Sequence, residues 1–256
     1  MYRILSTSKA GMNANQTKLD VIGNNMANSE TTGYKKVDVG FQNLLNESLD
    51  RQGYRVNDKN ASMGTGVKVS GLFSDNSQGN LFSTELPTDF ALDGPGFFRV
   101  QLANGTEAYT RDGSFKIDGM GRIVDSSGNK IELNYINGRS EANCQFTANN
   151  LLVDTKGNVF MKEGQDFNKV AEIPVYTAEG DNSFASIGKN LFLPQQGVNV
   201  QRATDTNIHQ GMLEASNVDI TTEMTDLIVA QRAFQLSSKG VTTADEMWGM
   251  INNMRR

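Results

Sequence analysis

The apolar positions of this chain follow two different periods. Near the N-terminus Leu5, Met12, Leu19 and Met26 recur at seven-residue intervals, and near the C-terminus Ile220, Leu227, Phe234, Val241 and Trp248 do the same. A sustained seven-residue repeat is the mark of a helix seam that packs against other helices. Residues 3–27 therefore predict one helix, weakened by Gly11 and Gly23, each of which costs about 1 kcal/mol relative to Ala. Ser8 and Asn15 weaken its seam further, because they stand where a second apolar row would help. Asp219 predicts the N-cap of the other helix, with Glu223 in the first turn, where the helix dipole favours an acid, and Arg255 and Arg256 at the far end. Ala230, Ser237 and Ala244 line the same seam and permit close helix approach.

Between the ends the period changes to two. Phe98, Val100 and Leu102 alternate with polar residues, as do Phe115 and Ile117, and then Ala171, Ile173 and Val175. That alternation predicts half-buried strands. Asn104-Gly105, Asp112-Gly113 and Asn137-Gly138 predict tight turns with positive φ, and Gly33 predicts the same in the turn segment 28–36. All four prolines lie in the middle and none in the end segments, which suits strands inside and helices outside. Val37–Asp50 predicts a further short helix containing Phe41, Leu44 and Leu45, and the polar, Gly-bearing stretch 51–66 a connection. The expected fold class is α+β. The N- and C-terminal helices pack as a coiled-coil-like bundle on assembly around or beside a central antiparallel all-β domain, a small sandwich or open barrel. The corresponding divisions are 1–36, an N-terminal assembly helix and turn; 37–66, a connecting segment; 67–210, the β domain; and 211–256, a C-terminal assembly helix.

One apolar seam does not offset the ordering of its own backbone. The C-terminal helix is therefore expected to be largely disordered in a free subunit and to order on docking to other subunits. Two helices packed on each other within a monomer is the alternative.

Composition narrows the function by exclusion. A net charge of −5, with Lys and Arg scattered, gives no footprint for nucleic acid or an acidic membrane. Cys144 is the single cysteine and His209 the single histidine, so neither an internal disulfide, a Cys/His nucleophile nor a zinc site is expected. No window reaches the length of a membrane span, and the start lacks the apolar stretch of a cleaved signal. The DGPGFF string, Asp93–Phe98, lacks the third glycine and the Lys-Ser/Thr end of a phosphate loop, and reads as a turn into a strand. The runs 125–129 and 154–158 lack the oxygen ligands of a calcium loop and read as hairpin turns. Catalytic, cofactor and metal residues are expected to be absent.

Four strings decide the family. GNNMANSETTGYKK (23–36), LDGPGFF (92–98), YTRDGSF (109–115) and the long SNVDITTEMTDLIVAQRAFQLSSKGVTTADEM (216–247) resemble, in order, signature segments of the bacterial flagellar rod and hook family. The resemblance covers nearly the whole chain, and its length favours a rod member, best matched to the distal type; a proximal rod or hook-type subunit is the nearest alternative. It implies a non-enzymatic subunit that polymerises helically into a hollow, torque-transmitting shaft, with the terminal helices forming inner layers through the nine seam residues and the β domain facing outward. It also implies other rod and hook proteins as partners, and export through the flagellar type III apparatus without signal cleavage to a basal body outside the cytoplasmic membrane. Phe41 and Leu45 match the family's export-gate element, a Phe followed four positions later by an apolar residue; both could instead be core contacts. From another class, a secreted β-rich adhesin or carbohydrate-binding module with helical oligomerisation tails also fits the pattern.

Overall fold

A computed structural model describes residues 2–48, 62–136, 139–140, 144–164, 166–178, 180 and 183–254. Two helices, α1 (Tyr2–Ala27) and α2 (Ile220–Met254), bracket a long run of antiparallel strands, so the class is α+β. Contacts divide the chain into two compact units, one of Met1–Ala27, Val37–Phe73 and Asp219–Arg256, the other of Asn28–Lys36 and Ser74–Val218.

In the first unit α1 and α2 pack against each other antiparallel. Asn25 meets Glu223, Gly11 meets Ser237 and Ser8 meets Gly240, and the residue numbers in each pair have the same total. The register is therefore constant along the pair. A Cβ added to Gly240 would lie 2.6 Å from Oγ of Ser8, and one added to Gly11 3.2 Å from Oγ of Ser237. The glycines and serines that look like defects in a lone helix are what bring the two axes together. Ile22, Ala230 and Ala244 are buried along the same seam. α2 thus has a partner within its own chain, which is the alternative of two helices packed on each other.

Asp219 caps α2 as its sequence suggests: its carboxylate accepts from the Thr221 N–H at 2.9 Å and from the Thr222 hydroxyl at 2.9 Å. The Thr222 hydroxyl, followed by the Thr221 N–H, holds this carboxyl below the usual range. The other end of α2 differs in kind. Because the register is constant and α1 starts at Tyr2, the turns of α2 after about Glu246 have no α1 residue opposite them.

The short helix expected over Val37–Asp50 is absent from the described part of that stretch. Val37–Asn43 is a strand paired with Val67–Ser74, and Asn46–Ser48 pairs with Ser62–Gly64. β-branched Val37 and Val39 alternate with Asp38, and Val39 is buried. Gly40 completes the case for a strand, since a Cβ there would meet the Phe73 ring at 2.3 Å. Most of 51–66 lies outside the described residues.

The second unit contains a nine-stranded and a four-stranded antiparallel sheet. Phe97–Gln101 is central to the larger sheet and pairs with Glu107–Thr110, Lys130–Ile131 and Val175–Ala178. Asp166–Glu172 and Asn158–Glu163 carry the smaller sheet. Both sheets contribute to one core, with Phe98, Val100 and Phe115 from one side and Val153, Val159 and Val170 from the other. Pro174 interrupts the alternation 171–175, so Ala171 and Val175 fall in different sheets.

One turn assignment holds and one changes. Gly105 has φ +80° and its N–H bonds to Leu102 O at 2.9 Å, as the hairpin requires. Gly113, by contrast, does not take positive φ. It is glycine because a Cβ would lie 1.6 Å from Phe90 O, where strand residue Phe90 donates its own N–H to Gly113 O at 3.0 Å. Asn137-Gly138 lies outside the described residues, as do Arg255 and Arg256. Chain expected to belong to the C-terminal helical end is also β: Met212–Glu214 pairs with Leu81–Ser83, and α2 begins only at Ile220.

Candidate assembly surface

The helix pair of the first unit uses its seam only in part. Leu5, Met12, Leu19 and Met26 on α1, and Leu227, Phe234 and Val241 on α2, are half-buried. Ile220 and Trp248 are exposed, at 44% and 42%. The smallest residues face the partner helix, and the larger ones flank them.

α2 also carries an apolar row that the seven-residue repeat does not reveal. Ile220, Met224, Ile228 and Leu236 follow a four-residue spacing, interrupted only by Arg232, and all are exposed. Residues spaced by four form a ridge along a helix surface, the feature by which helices interdigitate. Val229, Met250, Ile251 and Met254 extend the exposed apolar area on the same helix. Large apolar side chains so concentrated on one element mark an interaction surface rather than the scatter found on any protein. The spacing was visible in the sequence, but the stronger seven-residue pattern masked it.

Phe41 and Leu45 do not behave as core contacts. Phe41 is 45% exposed and Leu45 86% exposed, at and just beyond the end of the strand Val37–Asn43. Beside them lies a groove of about 410 Å³, with Ala10, Asn13, Ala14 and Thr17 of α1 on one wall and Val67, Lys68 and Val69 on the other.

The second unit holds a buried charge cluster that the sequence did not disclose. Glu214 is 2% exposed and accepts from Nζ of Lys35 at 2.7 Å and the Gly79 N–H at 2.8 Å through one oxygen, and from Nε of Arg111 at 2.5 Å through the other. Arg111 continues into the DGPG turn, donating to the carbonyls of Gly94 at 2.8 Å and of Gly96. Lys35 also donates to Ser77 O at 2.7 Å. Burial alone would raise the Glu214 carboxyl, but the charges of Arg111 and Lys35 outweigh it and hold the group below the usual carboxylate range. Burial pushes the Lys35 ammonium down. Buried charges persist only where they are paired and hydrogen-bonded, and each of these is.

This cluster belongs to three of the four family-like strings and, in Glu214, to a position two residues before the fourth. Residues 28–36 are tied to the rest of the unit at further points. Thr32 donates to Asp112 at 2.9 Å, Asn190 donates to Thr32 O at 2.8 Å, and the Gly33 N–H bonds to Glu214 O at 2.9 Å. Gly33 has φ +66° and packs so closely on the Arg111 backbone that a Cβ would meet it at 2.6 Å. Asn217 brackets the other end, accepting the Lys36 N–H at 2.7 Å and donating to Asp75 O at 2.9 Å.

The remaining chemistry is self-contained. A cavity of about 290 Å³ is lined by Arg99, Glu107, Arg122, Lys130, Glu132 and Tyr135 among others. Arg99 there pairs with Glu132 and with Glu107 and lies 4.4 Å over the Tyr176 ring, and the Glu132 bond raises its affinity for its proton. Among the described residues no group of three or more His, Cys, Asp or Glu is placed to hold a metal, and no helix is long and apolar enough to cross a membrane.

Comparison with known proteins gives the family. Three family models match: "Flagella basal body rod protein" over residues 5–35, "Flagellar hook protein FlgE/F/G D1 domain" over 91–161, and "Flagellar basal body rod FlgEFG protein C-terminal" over 209–254. The chain is 34% identical to the flagellar basal-body rod protein FlgG of Borreliella burgdorferi, with 100% of both chains covered. It is also 34% identical to FlgG of Bacillus subtilis and 31% identical to the flagellar hook-basal body complex protein FlhP of the same organism, again over 100% of each.

Proposed function

This chain belongs to the flagellar basal-body rod family as a structural subunit of the rod, and from that membership we propose that it is a distal-type subunit polymerising helically with copies of itself. The full-length similarity to FlgG proteins supports the distal type. The observation that carries self-assembly is the exposed four-residue ridge of α2, a large apolar surface on a helix whose opposite face is already occupied by α1.

Contacts between copies are heterologous, so they propagate an open helix instead of closing a ring. The nine seam residues, Leu5 to Met26 on α1 and Ile220 to Trp248 on α2, contribute the half-buried flanks that neighbouring helices complete. The product is a hollow shaft that transmits torque, continuous with other rod and hook proteins. The subunit reaches it through the flagellar type III export apparatus, with Phe41 and Leu45 as the recognition element presented by the unfolded chain.

Electron microscopy of isolated basal bodies carrying a labelled copy of this subunit tests the reading. Label is expected along the distal part of the rod, next to the hook. Label confined to the proximal rod or the hook would move the subunit to another position, and label absent from basal bodies would remove the rod assignment.

A further inference from the structure

The first unit carries a protruding end and a recess that is open among the described residues. The protrusion is the last part of α2, beyond the reach of α1. Glu246, Met250 and Met254 lie four residues apart there; Met250 is 59% exposed, Met254 82%, and Glu246 is exposed as well. The recess is the groove of about 410 Å³ between α1 and residues 67–69. Its α1 wall is a four-residue groove in its own right, because Ala10 and Ala14 form one row and Asn13 and Thr17 the next. A ridge of four-residue spacing packs into a groove of four-residue spacing.

Charge and chemistry agree with that fit. Lys68, exposed, lines the groove, and the protruding ridge begins with the exposed carboxylate of Glu246. Small side chains on the α1 wall leave space, and methionine, unbranched and flexible, fills irregular space better than other apolar residues.

We propose that the Glu246–Met250–Met254 ridge of one copy docks in the Ala10–Thr17 groove of a second copy. This rests on the rod reading and names the surfaces that join neighbouring subunits. The two surfaces are different and sit apart on the same helix pair. The groove stands opposite the middle of α2, about 16 residues before the protruding end, so copies joined this way are offset by about 25 Å along the helix direction at about 1.5 Å per residue. An offset contact between unlike surfaces repeats indefinitely, which is what a shaft requires.

The test uses full-length chains in cells. One carries Met250→Cys with one tag and the other Asn13→Cys with a second tag, and Cys144, 1% exposed, stays out of the reaction. Basal bodies are isolated and treated with a short thiol cross-linker. A product carrying both tags is expected, with none from rods holding either variant alone. Rods that contain both variants and yield no such product overturn the docking while leaving the rod assignment intact; absence of the unsubstituted chain from basal bodies overturns the rod assignment itself. Charge exchange gives a second reading. Lys68→Glu is expected to lower incorporation into rods at least several-fold, and Glu246→Lys in the same chain to restore it. A loss that Glu246→Lys does not relieve, or no loss at all, counts against the proposal.

Discussion

Asn25 and Glu223 meet inside the helix pair, where Nδ2 of Asn25 donates to Oε2 of Glu223 at 3.2 Å and both residues are 1% exposed. Asn25 also pairs with the backbone of Val37 in both directions, donating to its carbonyl at 2.8 Å and accepting its N–H at 3.1 Å. One side chain thereby fixes the register of α1 against α2 and the entry of the chain into its first strand. Polar groups buried in a helix interface specify register in this way, because any slip leaves them without hydrogen bonds. Asn25→Ala is expected to destabilise the first unit by about 1–3 kcal/mol, the cost of stranding buried polar groups. Hydrogen exchange at the Val37 amide and along α2 measures it; unchanged protection at both would show that the pairing is not structural.

Glu214 bears two cationic partners, so its loss is expected to cost more than the loss of either. Glu214→Ala should destabilise the second unit by about 3–5 kcal/mol, the range for removing one member of a buried ion pair. Acid should act through the same group. Its carboxyl is held below the usual value in the folded chain, so the stability it adds is complete above the unfolded value of about 4.3 and is lost as pH falls through the lower, folded value. Urea midpoints followed from pH 7 to pH 3 should fall more steeply for the natural chain than for Glu214→Gln. Parallel curves would exclude the cluster as the source of acid sensitivity.

Gly240 and Ser8 should be coupled. Replacing glycine by alanine in a helix interior gains about 1 kcal/mol of helix propensity, but here the new Cβ would stand 2.6 Å from Oγ of Ser8. Gly240→Ala should therefore show its full gain only when Ser8→Ala removes the hydroxyl. Thermal melts of the two single variants and the double variant give the coupling. Additive effects would mean that the helices are not in close contact at this point.

The β-rich unit should not tolerate excision at residues 67 and 210. Such a fragment lacks Lys35 and Glu214 and leaves Arg111 buried without its carboxylate. A fragment of residues 28–218 retains all three and is expected to unfold cooperatively, whereas 67–210 should expose apolar surface and bind a hydrophobic dye. A stable, cooperative 67–210 fragment would refute the importance of residues 28–36.

Phe41→Ala combined with Leu45→Ala should reduce secretion without abolishing folding, since Leu45 is largely in solvent and Phe41 nearly half exposed. Secretion assays paired with a melt of the purified chain separate the two effects. Normal export would dismiss these residues as a recognition element.

Both helices and most central strands were legible because each has a single dominant period. The stretch 37–43 was misread because Phe41, Leu44 and Leu45 imitate helical spacing, while what decides for a strand is Gly40 against the Phe73 ring, a contact made across 33 residues of sequence. The seam was legible as a seam, but not its partner. Ser8, Gly11 and Gly240 register as weaknesses in one helix and become the closest contacts only when two are superposed. The Lys35–Arg111–Glu214 cluster left no local signal at all. Its members are ordinary charged residues whose meaning comes from the fold that brings them together.

The bond from Lys35 to Glu214 spans 179 residues. Closing so long a loop adds a chain-entropy cost of order (3/2)RT ln n, and contacts of this separation form late. A chain synthesised from its N-terminus makes Lys35 long before Glu214, the carboxylate that pairs with it. The cluster can therefore close only after the segment leading into α2 has been made.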